Sequence, residues 1–157
     1  NTRSRGLGDV YKRQKLFFVD KYYKPELPLN LTKYLLKFAN SSIDVSDGLI
    51  DDLAKMINRQ SLSFHLFENK IPVSNKLSNL IKKQRLNKIN LISNGDDYQV
   101  LFTADIKKAR IIQKASKTTG IKITKIGKIV SGKDRSLIFD EKGKQIRAKS
   151  KGYIHQF

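Results

Sequence analysis

Ile43-Asp44-Val45-Ser46-Asp47-Gly48-Leu49 is the stretch on which the reading of this chain turns. Ile43 and Val45 alternate with polar positions as in a short strand, and Ser41 and Ser42 before them are small. On a strand Asp44 and Ser46 point to one face, because side chains repeat every two residues. Asp47 and Gly48 then open a helix, whose first amides are unpaired and carry partial positive charge. Carboxylate oxygens suit a hard cation such as Mg2+, and free helix-start amides suit phosphate. The bland alternative is capping: Ser46 is a good N-cap and Asp47 a favourable first-turn residue. Asp44 argues for the cation, because a carboxylate inside a short apolar strand costs desolvation energy and needs a partner.

Two further segments bear on the same site. Asn94-Gly95-Asp96-Asp97-Tyr98-Gln99-Val100-Leu101-Phe102-Thr103 reads as a tight turn entering a strand. Its adjacent carboxylates repel unless a cation sits nearby, although this segment taken alone favours a solvated polar turn. The C-terminal Lys151-Gly152-Tyr153-Ile154-His155-Gln156-Phe157 ends on aromatic residues, where a disordered tail would be polar. It is expected to dock on the body of the fold.

In this order the three segments resemble the C-terminal half of the thiamine-monophosphate kinase family. That family lies in the superfamily of aminoimidazole ribonucleotide synthetase and selenophosphate synthetase. An Asp-x-Ser-Asp-Gly-Leu run followed by a helix is matched by Asp44 to Leu49 and Asp51-Asp52-Leu53. A Gly-Gly-Glu-Asp-Tyr-Glu-Leu run is matched by Asn94 to Val100, with Asn94, Asp96 and Gln99 as departures. A closing Gly-Trp-x-His-Phe is similar to Gly152 to Phe157, with Gln156 inserted. Pro25 with its following helix and Ile126-Gly127-Lys128-Ile129 are also similar, so the likeness covers about residues 16 to 157.

The resemblance implies an ATP- and Mg2+-dependent phosphotransferase that converts thiamine monophosphate to thiamine diphosphate. It implies that Asp44 and Asp47 bind Mg2+, that Ser46 contacts ATP, and that Asp96 and Tyr153 contact thiamine monophosphate. No group is singled out as catalytic, which suits a reaction resting on positioning and charge neutralisation. It further implies a homodimeric complete enzyme, and an N-terminal domain carrying most ATP and metal ligands that this chain lacks. The alternatives are another phosphoryl-transfer enzyme of the superfamily and, outside enzymes, a basic nucleic-acid-binding domain.

Asn1 to Gln14 does not belong with the rest of the chain. Ser4 to Gln14 resembles a translated adapter from transposon-based DNA library preparation, and such segments stand outside fold reasoning. The alternative is a natural basic arm. Residues 15–157 are then expected to form one C-terminal kinase domain, inactive alone.

The chain has 157 residues, 39% of them hydrophobic, enough for a core. No apolar run approaches the roughly 20 residues of a membrane span. The absence of Cys excludes disulfides and thiolate metal sites and is compatible with a cytoplasmic enzyme. Net charge is +18, of which +15 remains without the first fourteen residues. The basic residues are scattered and carry no interleaved aromatic motif, which favours solvated helix faces over a nucleic-acid surface. The positive field would still attract ATP and a phosphorylated substrate.

Helices are predicted over Leu29 to Ala39, Gly48 to Arg59, Ser74 to Gln84 and Ile106 to Thr119. Strands are predicted over Leu62 to Phe67, Tyr98 to Thr103, Ile121 to Val130, Leu137 to Phe139 and Gln145 to Arg147, with turns at Gly132 and Gly143. That is an α/β (α+β) domain with helices covering one mixed β-sheet, as in the C-terminal domain of aminoimidazole ribonucleotide synthetase. Asp51 and Lys55 are expected to form an exposed i,i+4 pair. His65 and His155 are assigned structural roles.

Overall fold

The structure, a computed structural model, describes residues 28–58, 60–93 and 99–147. In chain order it contains α1 (Leu29–Phe38), β1 (Ala39–Asp44), α2 (Leu49–Met56), β2 (Leu62–Phe67), α3 (Asn75–Gln84), α4 (Lys88–Leu91), β3 (Val100–Ala104), α5 (Ala109–Thr119), β4 (Gly127–Ser131), β5 (Leu137–Phe139) and β6 (Gln145–Ile146). Single 3-10 turns occupy Glu68–Lys70 and Ile106–Lys108. This is the expected α+β class, but the strands form two sheets. β1 and β3 make an antiparallel pair, and β4-β2-β5-β6 make a mixed sheet of four.

The longer helices follow from signals in their own sequence. In α1 Leu31 and Phe38 are buried and Leu35 packs beside them, the i, i+4, i+7 face of an amphipathic helix. In α2 Leu49 and Leu53 form the stripe, continued by Ile57 just past its end. The Ser74 hydroxyl caps α3 by accepting from the Leu77 amide, as a serine before an apolar-periodic run should. α5 stops at Gly120, whose φ of +70° suits a residue without a β-carbon.

Two cores result. The larger joins Val45, Leu49, Leu53 and Ile57 to Phe64 and Leu66 of β2, Ile89 and Ile92 at α4, and Ile138 of β5. The smaller joins Leu31 and Phe38 of α1 to Ala115 of α5. Strand β3 serves both, since Leu101 packs on the larger and its neighbour Phe102 on the smaller. Adjacent strand residues face opposite ways, so the β1–β3 pair lies between the cores.

The long strand expected over Ile121 to Val130 is shorter, running Gly127–Ser131. Ile121 and Ile123 bury themselves on the smaller core instead of joining the ladder. Their alternation has a packing origin. β2 pairs with β4 from Leu62 to Leu66, and the Phe67 amide then takes the Ile126 carbonyl at 2.9 Å, which ends the pairing. The four-residue helix α4 was not anticipated from sequence. Lys88 pins it, its ammonium donating to the carbonyls of Glu68 (2.8 Å) and Ile71 (2.6 Å). Burial pushes the Lys88 pKa down, against a smaller upward pull from Glu68. No described helix is long and apolar enough to cross a membrane.

Candidate functional site

Val45 to Gly48 leads from the end of β1 into α2, and its conformation is fixed from three sides. On the first, the Val45 amide donates to the Gln99 carbonyl at 2.8 Å, extending the β1–β3 pairing by one step. On the second, the Leu49 amide takes the Ile92 carbonyl at 3.2 Å. Gly48 lies against Ser93 so closely that a β-carbon would meet its carbonyl oxygen at 2.4 Å, and its φ is +114°. Only glycine fits both demands. Ser93 is itself buried and donates its hydroxyl to the Ile89 carbonyl at 2.6 Å. Residues 93 and 99 flank the segment 94–98, so both ends of the second motif are tied to the first.

The third side is Asp52. Its carboxylate is 1% exposed. One oxygen accepts from the amides of Ser46 and Asp47, each at 2.9 Å, and the other accepts from the Lys55 ammonium at 3.0 Å. Lys55 also pairs with Asp47. These hydrogen bonds, that to Asp47 first and that to Asp52 second, hold the Lys55 pKa above its ordinary value. Every buried side-chain polar atom among the described residues has a partner.

Asp44 and Asp47 keep different exposures. Asp44 is exposed at the end of β1, and the Asp47 side chain is 29% exposed. Ser46 between them is half-buried, so all three residues keep some exposure to solvent. Such hard donors fit Mg2+, which binds through one or two carboxylates and fills its shell with water and phosphate oxygens. No group of three or more His, Cys, Asp or Glu among the described residues is placed to hold a metal. An open cleft of about 560 Å3, lined by Ile57, Asn58, Ser63, Lys133 and Ser136 among others, lies at the far end of α2 and not at this loop.

No protein-family model matches the chain. A thiamine-monophosphate kinase of Buchnera aphidicola subsp. Schizaphis graminum is 31% identical over 140 residues, 88% of this chain and 42% of that protein. The solved structure of AaThiL complexed with AMPPCP and TMP superimposes with a TM-score of 0.69 and 28% identity, covering 91% of this chain and 42% of that one. This chain is thiamine-monophosphate-kinase-like. The hydrogenase maturation protein HypE of E. coli shares the fold alone, with a TM-score of 0.60 at 13% identity, 79% of this chain and 39% of that one. The chain therefore spans about two fifths of the length of these thiamine-monophosphate kinases.

Against the sequence reading, Asp44, Ser46 and Asp47 are brought together at one loop, and three expectations about them are corrected. Asp44 is not a desolvated carboxylate inside a strand, because it ends β1 in solvent. Ser46 does not cap α2: the N-cap is Gly48, with no side-chain cap. The Ser46 and Asp47 amides are not free, since Asp52 takes both. Asp96 and Tyr153 lie outside the described residues, as do Tyr98, His155 and residues 1–14. His65 sits in β2 with its ring edge-on to Phe139 at 5.5 Å, a packing role.

The residues missed were Asp52 and the true partners of Lys55. The signal was present in the helical phase. At about 100° per residue, Asp52 lies about 60° from Leu49 and beside the buried stripe, whereas Asp51 lies about 160° away. Lys55 sits on the same side as Asp52 and Asp47, and pairs with them.

Proposed function

We propose that this chain is the part of a thiamine-monophosphate kinase that presents Asp44, Ser46 and Asp47 to Mg2+ and ATP. The observation that carries the reading is the anchoring of the two motif segments on each other, through Val45 with Gln99 and Gly48 with Ser93. Asp44 and Asp47 would hold Mg2+, and Ser46 would meet the ATP phosphates. Asp96 and Tyr153 would contact thiamine monophosphate. The solved relative complexed with AMPPCP, an ATP analogue, and TMP supports the same pair of substrates.

The reaction passes the γ-phosphoryl of ATP to a phosphate oxygen of thiamine monophosphate, forming one P–O bond as the bond to ADP breaks. The acceptor is already ionised, so no general base is required. Bound Mg2+ supplies neutralisation of the phosphate charge. This chain's residues orient and hold: Asp52 ties down the loop that carries Asp44 and Asp47. The +18 net charge draws both anionic substrates toward the protein. The same reading gives a cytoplasmic, homodimeric enzyme whose remaining ligands come from sequence beyond this chain.

The test is thiamine diphosphate formation from ATP and thiamine monophosphate with Mg2+, by the complete reading frame containing this chain. Asp44→Ala is expected to lower turnover by about a hundredfold or more, equivalent to ~2.7 kcal/mol. Turnover within threefold of the parent would remove Asp44 from the site. A folded parent protein without turnover would overturn the substrate assignment.

A further inference from the structure

We propose that Lys55 is a resident counter-cation for Asp47, which a divalent cation must displace, so that Lys55 sets the metal concentration at which the loop loads. The proposal rests on the reading of Asp44 and Asp47 as metal ligands and adds a residue that the motif does not contain.

The two partners of Lys55 differ in kind. Asp52 is fixed: it is 1% exposed and one of its oxygens already takes two loop amides. Asp47 faces outward, with 29% of its side chain exposed, beside the exposed Asp44. The Lys55 side chain is 49% exposed and reaches both from α2. Its long stem lets it leave Asp47 while keeping the 3.0 Å bond to Asp52.

A cation is needed there at all times. Asp44, Asp47, Asp51 and Asp52 place four of the chain's fourteen acidic residues within nine positions, in a protein of net charge +18. Carboxylates so crowded raise one another's energy unless a positive charge is close. Lys55 meets that need without a ligand. The same charge opposes a metal that arrives on Asp47. A single and a double positive charge about 6 Å apart in water weaken binding by about tenfold, and physiological salt reduces that to about threefold.

Titration of the complete protein containing this chain with Mn2+, with free Mn2+ followed by electron paramagnetic resonance, tests this without turnover. Lys55→Met and Lys55→Gln are expected to lower the Kd for Mn2+ by about three- to tenfold. Lys55→Arg keeps the charge and is expected to stay within twofold of the parent. Two neutral variants guard against loss of fold in one, and circular dichroism verifies each. If the parent binds Mn2+ and both neutral variants bind it equally or more weakly, Lys55 is no competitor, and the metal reading stands without it. If neither the parent nor the variants bind Mn2+, both the proposal and the metal reading fall.

Discussion

Replacing Asp52 tests the physical basis of the loop directly. Its carboxylate makes three hydrogen bonds, to the Ser46 and Asp47 amides at 2.9 Å and to Lys55 at 3.0 Å, and is almost wholly shielded from water. Hydrogen bonds to a charged group contribute about 1.5–3 kcal/mol each. The Lys55 bond counts at the low end because the ammonium is half exposed. The two amides belong to half-buried residues, so water recovers part of their loss in the variant. Asp52→Ala is therefore expected to cost about 2–4 kcal/mol, a large share of the 5–15 kcal/mol that stabilises an ordinary domain. Asp52→Asn keeps an oxygen for the amides but turns an NH2 toward Lys55, and is expected to cost about half as much. Urea unfolding followed by circular dichroism gives both numbers, with an unchanged denaturant slope showing that stability alone has moved. Hydrogen exchange should show the Ser46 and Asp47 amides losing protection in Asp52→Ala. A loss below about 0.5 kcal/mol, typical of a neutral surface site, would refute the claim that this carboxylate holds the loop.

Gly48→Ala must place a β-carbon 2.4 Å from the Ser93 carbonyl oxygen at a φ of +114°. It is expected to cost about 3 kcal/mol or more in thermal or urea unfolding, and a cost under ~1 kcal/mol would show that the two segments are not in contact. Lys55 gives a pH signature whose sign follows from its raised pKa. The stability it contributes is fully present below the ordinary lysine value of 10.5 and is lost as pH rises through the higher folded value. The stability difference between wild type and Lys55→Met should thus hold constant from neutral pH to about 10 and shrink above that. A gap that widens with rising pH would contradict the ion pairs.

Helix α1, the stripe of α2, strand β2 and helix α3 were legible because each rests on signals spaced within a few residues. The division of the strands into two sheets was not. It depends on where the pairing of β2 with β4 ends, at Phe67 with Ile126, and on Ile121 and Ile123 finding the smaller core. Neither contact has a local signature. An apolar alternation states that one face will be covered, and leaves open whether a strand or a helix covers it.

The candidate loop shows the same limit in sharper form. The motif Asp44-Val45-Ser46-Asp47-Gly48 identified the place, but the sequence reading assigned the helix-start amides to a phosphate and the desolvation penalty to Asp44. The structure differs on both. The buried carboxylate is Asp52, and the amides it takes are those of Ser46 and Asp47 in the loop, before α2 begins at Leu49. That arrangement has a physical advantage. A loop held by an internal carboxylate needs no ligand to keep its shape, so under the proposed reading Asp44 and Asp47 would be set before a metal or nucleotide arrives. The cost is a buried charge, which Lys55 and two amides offset. Asp52 and Asp47 thus divide one chemistry by exposure. The carboxylate sealed from water holds the loop, and the partly exposed one, paired with Lys55, is the one a metal would meet under the proposed reading.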